Sequence, residues 1–411
     1  MSVGFSPKSN GESGFVTRPY EPLPGLHCRP TYAEIDLAAL RSNLQLVRKF
    51  APNTQIMASI KAQAYGHGLL RVAEFLAEEG VDAFGVGFLE EGVWLREAGI
   101  DQPVLVLGGI ANDQLEHYLE YDLTLACASP AVARNISAAA KKTGKRAKVH
   151  LKIDTGMRRL GVYFDRAKEF AETVTKLPGI EIEGLFSHFA TSDIRNDGFA
   201  QIQLERFSYV LSEWKRSGIE PRFVHMANSG GILNYPASHF NLVRPGLLLY
   251  GYRPSPEPDE RLTELQPVMS LRSEVLFVKG VRAGEGVSYG LTYRTPHDTW
   301  LATIPVGYGD GYNRALSNRA SVLIEGKRYP VVGRICMDQL MVDLGKDRIE
   351  TGTPVTLFGK ERRASAAAPN PATEAIAEVP AEQRIEAWEL CRMLDTIPYE
   401  LTCWVSERVP R

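Results

Sequence analysis

The sequence predicts an α/β chain in which a (β/α)8 TIM-type barrel is followed by a mostly antiparallel β domain. Three observations predict it. Short β-branched runs alternate eight times with longer stretches of helical period from residue 55 onward. After about residue 265 the texture changes to closely spaced β-rich runs. The 411 residues exceed one ordinary core, yet suit a barrel of typical size with a smaller companion domain.

The elements follow in order. Residues 1–28 are rich in Gly, Pro and Ser, lack the apolar stretch of a signal peptide and read as a loose extension. The barrel is expected over 29–265, with IMASI, DAFGVG, PVLVLGG, DLTLAC, AKVHLKID, IEGLFSHFA, RFVHMAN and NLVRP as its strands. Between them, segments such as LLRVAEFLAEEG and SPAVARNISAAAKKTG carry apolar residues at i, i+3 and i+4. Ser129 is placed as an N-cap and Pro130 in the first turn. The β domain is expected over 266–411, built from SLRSEVLFV, WLATIPVGYG, ASVLIEG, YPVVGRICM and QLMVDLG. A surface insertion at 361–383 interrupts it, and IEAWELCRMLDTIP onward reads as a helix and a final strand segment.

Composition narrows the function. With 44% hydrophobic and 23% charged residues and a net charge of -2, the chain lacks the basic excess that nucleic acid or an anionic membrane would demand. Its five cysteines are scattered without a C-x-x-C spacing, which argues for reduced thiols in the cytoplasm and for neither a disulfide framework nor a metal site.

In a barrel of this kind, reactive groups belong at the C-terminal ends of the strands, and the unusual residues fall there. Lys61 ends the first strand; Lys152, Asp154 and Arg159 follow the fifth; His188 ends the sixth; Asn228 and Ser229 follow the seventh; Arg244 ends the eighth. Singly, each has a plain reading. A strand-end lysine can pack its stem and hold its charge in water, His188 can be a satisfied barrel histidine, and Arg159 a salt-bridged loop residue. Together they support a sharper one: a desolvated lysine whose neutral amine forms a Schiff base with a carbonyl cofactor. The Asn228-Ser229-Gly230-Gly231 turn and Gly246 offer backbone amides to an anion, at the two strands where this fold often holds phosphate. A lysine, a phosphate cradle and ring-side cations together suggest pyridoxal 5'-phosphate (PLP).

The run IKAQAYGHG resembles the PLP-lysine signature of the alanine racemases. DTGMRRLG, SHFA, HMANSGG, VRPGLLLYG, VSYGLTY, GYGDGYNR, VGRICMDQ and IPYEL resemble that family's other motifs in order. The resemblance covers roughly residues 30 to 360 and 384 to 411. It implies that Lys61 holds PLP, with Tyr65, Asn228, Ser229, Tyr399 and the backbone of Gly246 and Leu247 around its phosphate end. Arg159 would face the ring hydroxyl, His188 would lie beneath the ring and Arg244 at the pyridine nitrogen. It further implies Tyr289 as second base, Met337 with Arg159 at the substrate carboxylate, and Lys152, Tyr308, Arg314 and Asp338 in support, Lys152 as a carbamate. Gln63 and Arg158 depart from the residues usual at their positions.

The function so implied is interconversion of L- and D-alanine by two bases on opposite faces of Cα, supplying D-alanine for peptidoglycan. It also implies a homodimer whose sites are shared between chains. A related decarboxylase would set a carboxylate where VRPG offers Arg244, and a non-catalytic PLP carrier resembles the barrel alone. A serine or broad-specificity amino-acid racemase shares nearly all the motifs and stands as the alternative.

Overall fold

The computed structural model describes residues 29–361 and 384–411. The expected extension at 1–28 and all but the first residue of the expected insertion at 361–383 lie outside the described residues. The chain enters through strand β1 (Tyr32–Ile35) and helix α1 (Leu37–Phe50), whose N-cap Asp36 accepts from the Ala39 amide. The first barrel strand β2 (Gln55–Ser59) leads into α2 (Lys61–Tyr65) and α3 (Leu69–Glu78); β3 (Ala83–Val86) precedes α4 (Leu89–Glu97). Next come β4 (Val104–Val106), α5 (Leu115–Glu120), β5 (Thr124–Cys127) and α6 (Pro130–Thr143). Ser129 caps α6 by accepting from the Val132 amide, with Pro130 in the first turn, as its sequence indicates.

The second half of the barrel runs through β6 (Ala147–Asp154), the two-residue β7 (Val162–Tyr163), α7 (Ala167–Thr175), β8 (Ile180–Phe186) and α8 (Gly198–Arg216). It ends with β9 (Phe223–His225), α9 (Ser229–Asn234) and β10 (Leu242–Val243). Eight strands lie in the order β10-β2-β3-β4-β5-β6-β8-β9, all parallel, and form a nearly closed barrel. The seam between β9 and β10 is bridged from outside the ladder. Asn241 accepts the Val224 amide through Oδ1 at 2.7 Å, and Arg244 N donates to the Ala227 carbonyl at 2.8 Å.

The second sheet is antiparallel, and its strands run β1-β11-β19-β16-β17-β18-β15-β12. They are β11 (Met269–Glu274), β12 (Phe277–Val281), β15 (Thr299–Ile304), β16 (Ser321–Ile324), β17 (Lys327–Val332), β18 (Leu340–Gly345) and β19 (Pro354–Lys360). A separate hairpin joins β13 (Gly286–Val287) to β14 (Tyr293–Arg294), and β20 (Arg384–Ile385) pairs with β19.

Three sequence readings change. The run SLRSEVLFV is two strands, not one, because the chain turns between Glu274 and Phe277. Residues 32–35 fall within the span expected for the barrel, yet they pair with β11 and cover an edge that would otherwise expose unpaired amides. The final strand segment is instead helical: α10 (Ala387–Leu394) is followed by α11 (Pro398–Cys403), where Pro398 occupies a first-turn position that suits its fixed φ.

One buried charge cluster joins distant parts of this arrangement. Asp310 is fully buried in the loop after β15. Its carboxylate accepts from Arg29, near the start of the described chain, from Arg408 Nε near its end at 2.7 Å, and from the Gly307 amide at 2.9 Å. Burial pushes this carboxyl up, but the hydrogen bonds from Arg29 and Arg408 outweigh it and leave it below the ordinary value. A depressed acid stabilises the fold fully above its unfolded value of about 3.9 and loses that contribution as pH falls through the folded value. Asp310→Asn should therefore cost about 3 kcal/mol at neutral pH. Thermal melts of variant and parent should converge as the solution is acidified below pH ~4; a constant gap would contradict this account.

Candidate active site

The site is built at the C-terminal mouth of the barrel from a backbone that L-residues seldom adopt. Directly after Lys61, residues Ala62, Gln63, Ala64 and Tyr65 all have φ between 52° and 55°, and Gly66 follows at 82°. This is one turn of left-handed helix, costing roughly 1–2 kcal/mol for each residue bearing a Cβ. It is held from several sides. Glu91 of α4 accepts the Ala62 amide at 2.6 Å and the Gly87 amide at 2.7 Å. The Gly66 carbonyl accepts from Arg411 Nε at 2.7 Å, and α11 packs so closely that a Cβ on Gly66 would lie 2.1 Å from the Thr402 carbonyl oxygen.

The turn aims Lys61 and Tyr65 into the mouth. Burial lowers the Lys61 pKa and Arg159 lowers it further, while Glu91 opposes them. A larger fraction of its amine is therefore neutral and nucleophilic than in water. Tyr65 packs between Tyr250 and Tyr399, with ring centroids 4.9 Å and 5.4 Å away and the planes tilted by 38° and 41°. Its hydroxyl lies 3.1 Å from Ser59 Oγ. Burial raises this phenol to about 12, so it stays protonated and able to donate.

Opposite Tyr65 is a cradle for an anion. Ser229 Oγ accepts from the amides of Gly246 at 3.1 Å and Leu248 at 3.2 Å, and Asn228 caps α9 by accepting the Gly231 amide at 2.9 Å. A Cβ on Gly246 would lie 2.7 Å from the Tyr65 hydroxyl, so glycine keeps this space open. Hydroxyls and backbone amides converging beside a desolvated lysine fit the phosphate and carbonyl ends of PLP.

Cations line the rest of the mouth. Arg244 is 5% exposed and burial lowers it to about 10. It donates to the carbonyls of Ser187 at 2.9 Å and Met226 at 3.2 Å, and it lies 3.3 Å from His188 Nδ1. His188 is kept neutral by burial and then by Lys152, Arg244, Arg159 and Lys61. Lys152 has its amine 4.2 Å from the centre of the Phe186 ring, and burial followed by Arg244 and Arg159 pushes its pKa well down. A neutral amine so placed is the state from which a carbamate would form.

The structure thus brings together Lys61, Tyr65, Lys152, His188, Asn228, Ser229, Arg244, Gly246 and Tyr399, with Arg159 near enough to act on Lys61 electrostatically; at the cradle the second amide held by Ser229 is that of Leu248, one residue beyond the expected Leu247. It leaves others outside the barrel mouth. Tyr289 is 71% exposed and Met337 53% exposed on the β domain. Tyr308 and Arg314 line a separate open pocket with Trp404, and Asp338 pairs with Arg408 at 2.9 Å. Arg158, the unusual residue beside Arg159, donates to the Tyr163 hydroxyl at 2.6 Å and lies 3.5 Å from the Asp154 carboxylate.

Sequence reasoning passed over Ser59, Glu91, His150, Glu183, His225 and Tyr250. A signal existed for His150: in VHLKID it shares a strand face with Lys152, two residues on. Among the described residues no cluster of His, Cys, Asp or Glu could hold a metal ion, and no helix is long and apolar enough to cross a membrane.

Comparisons with known proteins agree along the chain. The family model described as alanine racemase, N-terminal domain, matches residues 35–254, and the alanine racemase C-terminal domain model matches 268–378. An alanine racemase of Desulforamulus reducens is 42% identical over 386 residues, which cover 93% of this chain and 98% of that protein. The solved alanine racemase of Clostridium difficile 630 superposes with a TM-score of 0.83 at 37% identity, covering 92% of this chain and 94% of the other. The same enzyme in complex with cycloserine gives 0.82 at 35% identity, covering 93% and 95%.

The cradle leads to a direct test. Gly246→Ala forces a methyl against the Tyr65 hydroxyl, so PLP retention after dialysis, read by absorbance, should weaken by about tenfold or more, about 1.4 kcal/mol. Unchanged retention would remove Gly246 from the phosphate site.

Proposed function

The chain belongs to the alanine racemase family, a family of PLP-dependent isomerases, and from that premise we propose that it binds PLP through Lys61 and interconverts L- and D-alanine. The observation that carries this reading is Lys61 itself, a lysine of lowered pKa on a strained turn facing the Ser229–Gly246 cradle. When bound, PLP supplies an electron sink that acidifies the proton on the amino acid's Cα. The protein's residues then do the rest. Lys61 moves a proton on one face of Cα, and Tyr289 moves one on the other. Arg159 and Met337 receive the substrate carboxylate. Arg244 would hold the pyridine nitrogen of the cofactor, and because a guanidinium keeps its proton, it would restrain the sink rather than strengthen it.

Tyr289 supports a two-fold homodimer. In its own chain it projects from the β domain beside Ser288, which has φ 63° and is anchored by a 2.6 Å hydrogen bond to the Arg334 carbonyl. Leu291 and Met337, each more than half exposed, accompany it. A partner's barrel mouth accounts for an apolar, fixed presentation of this kind. We place the enzyme in the cytoplasm, making D-alanine for peptidoglycan. The serine or broad-specificity alternative is not favoured, because the relatives and solved neighbours above are named as alanine racemases.

Incubating purified protein with single L-amino acids should give D-alanine by chiral chromatography, faster than any other D-product. Borohydride treatment and peptide mapping should put the cofactor on Lys61; a label elsewhere would refute the assignment. The shared site is tested by mixing. Lys61→Ala and Tyr289→Phe, each nearly inactive, should regain roughly a quarter of parental activity when unfolded and refolded together, because one site of each mixed dimer has both bases. No recovery, with mixed dimers verified by mass spectrometry, would place both bases in one chain.

A further inference from the structure

Beneath the mouth, a chain of polar side chains runs from Arg244 into the barrel interior through His225, His150 and Glu183, three residues that none of the steps above uses. Arg244 Nη1 lies 2.7 Å from His225 Nδ1, His225 Nε2 lies 2.8 Å from His150 Nδ1, and His150 Nε2 lies 3.3 Å from Glu183 Oε2. The two imidazoles are fully buried and Glu183 is 7% exposed. The carboxylate also accepts from Thr124 Oγ1 at 3.3 Å, and Arg222 lies 3.9 Å from its other oxygen.

The first member forces the direction of every bond. A guanidinium has donors and no acceptor, so His225 Nδ1 must carry a lone pair and its proton must sit on Nε2. That proton points at His150 Nδ1, which must therefore accept. The proton of His150 is then on Nε2, donated to Glu183. Neither ring can gain a second proton without setting two N–H groups against each other.

The backbone is shaped to allow this. A Cβ on Gly184 would lie 2.4 Å from the His150 ring, so the residue beside Glu183 leaves the space that the imidazole fills. The β6–β8 register also shifts between Val149 and His150, an irregularity of the kind that re-aims a side chain. The other partners of Arg244 are the Ser187 and Met226 carbonyls and His188, none of them a carboxylate. The chain through the two histidines thus connects this buried cation to a negative charge.

We propose that Glu183 is a positioning residue for Arg244: through the locked pair His150 and His225 it orients the guanidinium and keeps its full positive charge directed at the cofactor ring. The consequence is suppression of transamination, the side reaction that a stronger sink would favour. This rests on the reading of Arg244 given above, and its test has a part independent of that reading.

In histidine-labelled holoenzyme, solid-state 15N NMR should find both rings neutral with the proton on Nε2; a proton on Nδ1 of either ring overturns the proposal whatever the enzyme's activity. Glu183→Gln keeps the shape and removes the charge. The ratio of transamination to racemisation turnovers should rise about tenfold, the effect of one charge across two imidazoles in a protein interior. Thr124→Val removes a hydrogen bond from the same carboxylate but leaves the charge, and should keep the parental ratio. A parental ratio in Glu183→Gln, or an equal rise in Thr124→Val, refutes an electrostatic role. If the parent racemises no amino acid, the proposed function fails, while the tautomers still decide the hydrogen-bond chain.

Discussion

Everything at the barrel mouth depends on one turn of backbone wound the wrong way. Four non-glycine residues in a row with positive φ cost on the order of 4–8 kcal/mol relative to an ordinary turn. Such a turn persists where its surroundings over-determine it. Here the restraints come from three regions: the Ile60 carbonyl accepts the Ala64 amide at 2.8 Å, Glu91 holds Ala62, and the C-terminal segment holds Gly66. A right-handed turn would point Lys61 and Tyr65 elsewhere. It would also break the contact between the Tyr65 hydroxyl and the cradle at Gly246.

The second organising feature is charge. The chain as a whole is nearly neutral, yet Lys61, Lys152, Arg159 and Arg244 meet in one mouth, where the two arginines add to burial in disfavouring the protonated state of both lysines. This concentration creates a field that draws in an anionic ligand. It also leaves the lysines, whose pKa values move readily, to give way before the guanidiniums do. The pattern separates the two residue types: the pKa values of both lysines are pushed down, by burial first and the arginines after it, whereas a guanidinium holds its proton.

The sequence revealed the architecture because periodicity reports which face of an element is buried. Eight parallel strands and their strand-end residues follow from alternation alone, and Ser129-Pro130 marks a helix start through its capping chemistry. Three things were not legible. The left-handed turn is written in Ala, Gln, Ala and Tyr, residues with no local preference for positive φ, since contacts distant in sequence impose it. The pairing of residues 32–35 with β11 is a matter of which edge lacked a neighbour, and a four-residue strand carries no such information. The position of Tyr289 is the third: nothing in VSYG says that its side chain stands exposed on the β domain, away from the barrel mouth of its own chain.

The clamp on the lysine turn also bears on how the protein folds. Arg411 and the Gly66 carbonyl it holds are separated by 345 positions along the chain, and β1 pairs with β11 over a shorter but still long span, Tyr32 opposite Arg272. Contacts this remote close large loops before they are repaid, which slows their formation. The eight-stranded wall is made mostly of neighbours in sequence and can assemble early. The strained turn gains its last restraint when the C-terminal helices dock. The geometry of the Lys61 turn therefore depends on residues from the far end of the chain as much as on its own sequence neighbours.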